Sequence, residues 1–137
     1  MYARILVPLD GSEAAEAALP HARSLASRLH AEVVLLRVEA PIPNLPSSRY
    51  PAEIGEEAAR YLRSVAEPMI LKGLKVRTLV EYGDPVEVVL AMAAAHRVDL
   101  IVVADDGGGG VWRRVPGRLV SRILAGSRVP TLVVRGG

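Results

Sequence analysis

The stretch Ile5-Leu6-Val7-Pro8-Leu9-Asp10-Gly11-Ser12 decides the fold. It opens on an apolar run with no polar residue inside it, and closes on an acid, a glycine and a hydroxyl residue. A half-exposed strand alternates apolar and polar residues. An unbroken run is a strand covered on both faces, as in a parallel sheet. Ser12 suits the N-cap of a helix that follows. Strand, turn and helix in that order form the unit from which parallel sheets are wound.

Further along, the same kind of run recurs at Val33 to Val38, Val76 to Val80, Leu100 to Val103 and Leu132 to Val134. Helical stripes separate them. The first holds Ala15, Ala18, Ala22, Leu25, Ala26 and Leu29, with Pro20 expected to kink it. The second spans Ala52 to Leu71, with Ala58, Leu62, Val65 and Met69 inward. The third has Asp84 as cap, Pro85 in the first helical position and Glu87 three residues after the cap. Its stripe is Val86, Val89, Leu90 and Ala93. The fourth is expected near Pro116, with Leu119, Val120, Ile123 and Leu124. Strands and helices therefore alternate throughout, which implies right-handed crossovers and helices on both faces of the sheet.

The composition agrees. A chain of 137 residues fits one domain over residues 1–137, with a core large enough to need no staple. Phe and Cys are absent, so the core is aliphatic, and disulfides and thiolate metal sites are excluded. No apolar run reaches the length of a membrane span, and the N-terminal run is too short for a secretory signal. A cytoplasmic location without membrane attachment is expected. From Val111 to Gly137 there are six arginines and no acid. At least four of the six are expected to be solvated helix residues rather than an anion-binding face.

In open α/β sheets, ligands sit outside the carboxyl ends of the strands where strand order reverses. The residues there are Pro8 to Ser12, Val38 to Ala40, Glu81 to Asp84 and the glycine-rich segment Ala104 to Gly117. Glycine N–H groups and a helix N-terminus can cradle phosphate. Neither the P-loop pattern nor the dinucleotide glycine pattern is present. His21, His30 and His96 lack metal-ligand spacing and suit surface or helix-end positions. A lone Trp112 is no stacking platform, so nucleic acid is not an expected partner.

The opening stretch, together with Gly83-Asp84-Pro85, Val98-Asp99-Leu100-Ile101-Val102-Val103 and Val129-Pro130-Thr131-Leu132-Val133-Val134-Arg135, resembles the universal stress protein family. The resemblance runs the length of the chain in the family's order. It implies a three-layer open sheet of five parallel strands in the order 3-2-1-4-5, of the adenine nucleotide α-hydrolase-like kind. It also implies ATP as ligand, with Mg accompanying it, a role in stress response, and a homodimer formed through the last strand, Thr131 to Arg135. Any ATP hydrolysis would be slow, because no general base or arginine finger is evident.

Nucleotide-binding members carry Gly-x2-Gly-x9-Gly-[Ser/Thr] after the fourth strand, a pattern that falls here on Ala104, Gly107, Gly117 and Arg118. Two positions match. Ala104 replaces a glycine and brings a methyl group to a place of close backbone approach. Arg118 replaces a hydroxyl but is itself a good phosphate ligand. Asp105 and Asp106 add negative charge beside the phosphate site, which requires a cation. The resemblance further implies Pro8, Leu9 and Asp10 near the nucleotide, Val38 against the base and Val103 beside it. The alternative expectation is a dimeric scaffold of the same family, with a degenerate phosphate loop and an unknown protein partner.

Overall fold

The computed structural model describes residues 2–105 and 119–135. Five strands form one sheet: β1 (Arg4–Leu9), β2 (Glu32–Glu39), β3 (Lys75–Tyr82), β4 (Leu100–Asp105) and β5 (Thr131–Arg135). The four pairings between neighbouring strands are parallel, and the order is β3-β2-β1-β4-β5. The expected architecture holds. Each of the five apolar runs lies within a strand.

The helices are α1 (Glu13–Glu16), α2 (Leu19–Leu29), α3 (Ala52–Leu71), α4 (Pro85–Ala95) and α5 (Leu119–Gly126). Strand alternation sends side chains to two separate cores. Ile5, Val7, Leu9, Val33, Leu35 and Val102 meet the apolar stripes of α1, α2 and α3. Leu6, Val34, Leu36, Val38, Ile101 and Val103 meet those of α4 and α5.

Three local readings need correction. Pro20 does not kink one helix but divides two. It occupies the first turn of α2, where its missing N–H costs nothing, and α1 is only four residues long. Leu29 and Leu124, counted among the inward stripes, are 41% and 53% exposed. Leu29 ends its helix beside His30, whose left-handed φ of 56° turns the chain away. Leu124 lies one residue past the buried Ile123, where the stripe has rotated outward. The expected helix start near Pro116 lies outside the described residues.

The sheet is not evenly laddered, and Pro8 gives the reason. In a parallel strand, alternate residues direct their backbone groups to the same neighbour. The Arg4 carbonyl accepts from Asp99 N and the Arg4 N–H donates to Asp99 Oδ1, so Arg4, Leu6 and Pro8 all face β4. Pro8 has no N–H to give there. The register between β1 and β4 stops at Leu6↔Ile101, whereas that with β2 continues to Leu9↔Arg37. A proline in a central strand is otherwise out of place. Here it sits where the ladder ends.

At the other end of the same seam, Asp99 closes the sheet. Its carboxylate accepts from Ala3 N at 2.8 Å and from Arg4 N at 3.1 Å, over a separation of 96 residues for the first. Asp99→Ala removes two charge-assisted bonds that no other group replaces. The expected loss is about 2 kcal/mol in urea unfolding, with an unchanged m-value. A loss under about 0.5 kcal/mol would mean that water satisfies both N–H groups equally well.

Candidate functional site

Beyond Leu6↔Ile101 no register pairs β1 with β4, and Asp10 lies one residue past the end of β1 beside this unpaired gap. Asp10 is buried, at 6% exposure. Its Oδ1 accepts from both the N–H and the hydroxyl of Ser12. The Ser12 Oγ in turn accepts from Ala15 N at 3.1 Å, so Ser12 caps α1 as its position in the sequence implies. One hydroxyl thus joins the carboxylate to the helix. Both bonds to Asp10 arrive at Oδ1, and Oδ2 is unengaged among the described residues.

Gly11 makes this turn possible. Its φ is +88°, a region that disfavours any side chain. A Cβ there would also lie 3.1 Å from Nη1 of Arg37. Arg37 comes from β2 and points to the α3 face. Its Nε is 3.1 Å from Glu39 Oε1, and its guanidinium carbon lies 5.1 Å from the centroid of the Tyr61 ring. The Tyr61 hydroxyl donates to Glu16 Oε2 at 2.7 Å. Burial first, and then the bond and charge of Glu16, hold the Tyr61 phenol well above the usual tyrosine range. These residues were not singled out from the sequence. Arg37 is the signal that was there to find, a cation inside an apolar strand.

The sheet brings several of the sequence-derived site residues together. Pro8, Val38 and Val103 are buried near the carboxyl ends of β1, β2 and β4. Val38 and Val103 belong to the α4 face, and alternation places Pro8 there too. Leu9 and Ala104 differ. Leu9 belongs to the opposite core and Ala104 packs against it, so only their main chains remain for a ligand on the α4 face. Gly107, Gly117 and Arg118 lie outside the described residues. Of the C-terminal arginines, Arg128 and Arg135 are exposed. Arg122 instead reaches back from α5 to Asp84 Oδ2 at 3.5 Å, the same oxygen that caps α4 through Glu87 N. Arg113, Arg114 and Arg118 are outside the described residues. His30 and His96 stand at helix C-caps, and His21 is exposed.

Among the described residues, no three His, Cys, Asp or Glu side chains converge as a metal cage. Among the same residues, no helix is long and apolar enough to cross a membrane.

The raised Tyr61 pKa gives a titration test. A group whose folded pKa is raised keeps its stabilising effect below the unfolded value of 10.0 and loses it as pH rises beyond that. Absorbance titration should show a late tyrosine component, accompanied by unfolding, that belongs to Tyr61. Tyr61→Phe should remove that late component. If the parent and Tyr61→Phe titrate without a late component between them, neither the burial of the Tyr61 phenol nor its Glu16 bond holds in solution.

Comparison with known proteins agrees with the fold. A curated relative, the universal stress protein MJ0531 of Methanocaldococcus jannaschii, is 30% identical over 144 residues, covering 98% of this chain and 83% of the relative. The solved structure of hypothetical protein MJ0577 superposes with a TM-score of 0.81 at 26% identity, covering 100% of this chain and 98% of that one. A universal stress protein from Archaeoglobus fulgidus, solved in complex with dAMP, superposes with a TM-score of 0.71 at 19% identity. It covers 97% of this chain and 98% of its own, and shows likeness of fold alone. The profile of the universal stress protein family matches residues 1–135, and the chain belongs to that family.

Proposed function

We propose that this chain binds an adenine nucleotide, ATP with accompanying Mg, at the gap between β1 and β4, and that it acts as a cytoplasmic stress-response module. One observation carries the reading. Asp10 is a buried carboxylate at the mouth of the gap whose Oδ2 is unengaged among the described residues. That oxygen is not among the enclosed, unpaired side-chain atoms of the described residues, so it stays open to an incoming group. Mg²⁺ takes one or two carboxylates and fills its remaining positions with phosphate and water. A single Asp10 oxygen therefore fits a metal that arrives on a nucleotide, and does not fit a protein-built cage.

The remaining roles follow from position. Val38 and Val103 offer apolar walls for a base, and Pro8 and Leu9 offer main chain beside it. Ala104, Gly107, Gly117 and Arg118 would line the phosphates, with Arg118 standing in for the hydroxyl of the family pattern. The dAMP-bound relative supports an adenine ligand in this fold. A second reading, a scaffold without nucleotide, is favoured by Ala104 at the first glycine position.

Thermal stability with Mg-ATP tests the first reading. At a hundredfold excess over the dissociation constant, the native state should gain about 2.7 kcal/mol. Asp10→Ala should abolish the gain. No shift with the parent chain selects the scaffold reading, and a shift that survives Asp10→Ala overturns the assignment of the site.

We also propose a homodimer through β5, with any further protein partner unidentified. β5 lies at the end of the sheet order, and Leu132 on it is 37% exposed, as is Leu124 on the adjoining α5 at 53%. An apolar edge strand offers a free row of backbone groups for pairing. Leu132→Lys should convert a dimer to a monomer in sedimentation velocity at micromolar concentration. A parent chain that is already monomeric there would overturn the proposal.

A further inference from the structure

Arg37 has no part in the ligand contacts proposed above, yet its guanidinium has three neighbours: one on its own strand, one on α3 and one in the turn after β1. Nε faces Glu39 at 3.1 Å, the plane lies over Tyr61 at 5.1 Å, and Nη1 is the nearest atom to the space a side chain at Gly11 would fill. Tyr61 continues the chain of contacts to Glu16, which belongs to the helix that Ser12 caps. Ser12 fixes the Asp10-Gly11-Ser12 turn to α1. Arg37 fills the space beside Gly11 and is linked through Tyr61 to the same helix.

We propose that Arg37 is a positioning residue for Asp10. It fixes the Gly11 turn, and through it the direction in which the Asp10 carboxylate presents Oδ2. The fork of the guanidinium is what matters. Lysine would carry the same charge but cannot face Glu39, stack on Tyr61 and support Gly11 together. Charge alone predicts a different result. Glu39 faces this cation, and Glu16 and Asp10 act with it on Tyr61, so removing its charge would make the region more negative and would favour a bound Mg²⁺.

The ligand arm of the test rests on the nucleotide reading, and the other arm does not. In the ligand-free protein, amide exchange at Ser12, whose N–H is held by Asp10, is compared with that at Val33 in the sheet. Both Arg37→Lys and Arg37→Gln should speed Ser12 exchange about tenfold while Val33 stays at the parent rate. Unchanged Ser12 protection in either variant overturns the proposal, and parent-like behaviour of Arg37→Lys alone shows that charge suffices. In the ligand arm, both variants should weaken Mg-ATP about tenfold and leave ATP in EDTA unaffected, because the effect passes through Asp10. Equal weakening of both forms signals general structural damage and overturns the positioning role, as does tighter Mg-ATP binding by Arg37→Gln. If the parent binds no ATP in either form, the nucleotide reading fails, and the exchange result alone decides the role of Arg37.

Discussion

The site depends on one missing hydrogen. Pro8 faces β4 from the middle of the sheet and has no N–H to donate. The β1–β4 ladder stops there, although β1 stays paired with β2 to its last residue. An ordinary residue at position 8 would offer the donor for another rung and bring the carboxyl ends of the strands together. With the proline there, the β1–β4 register ends at Leu6↔Ile101, at the place where strand order reverses. The valines of the α4 face, the Asp10 turn and the short helix after it are arranged around that seam.

Much of this was legible in the residues, because the fold rests on period. The unbroken apolar runs and the intervening stripes give strand and helix, and both cores follow from alternation along five strands. Caps were legible for the same reason. Ser12 and Asp84 are local signals acting over three residues, and each bond is present. Prolines were harder, because one residue has several uses. Pro20 starts a helix rather than kinking one, and Pro8 ends a ladder, a role visible only once its neighbours across the sheet are known. Leu29 and Leu124 were misread because a stripe of apolar residues does not say where the helix turns off the core.

The site was legible at Asp10 and much less so around it. Asp10 stands just past a strand end, a position that topology marks for function. The residues that hold it come from elsewhere: Arg37 from β2, Tyr61 from α3 and Glu16 from α1. Their separations in sequence carry no period and no motif, so only packing joins them. Leu9 and Ala104 illustrate the converse. Both lie near the seam in sequence, yet alternation commits their side chains to the opposite core.

The Asp99 clamp also bears on how the sheet is assembled. The first strand of the chain is the middle strand of the sheet. It can pair with β2 as soon as residues 32–37 exist, but its second edge is satisfied only by residues 99–101. At synthesis rates of roughly 5–20 residues per second, several seconds pass between these events. Through that interval the nascent chain presents a bare strand edge, with the Ala3 and Arg4 N–H groups and the Arg4 carbonyl waiting at its foot for Asp99, a surface suited to chaperones and to wrong partners alike. Late arrival of β4 thus makes the centre of the finished protein its most exposed part during birth.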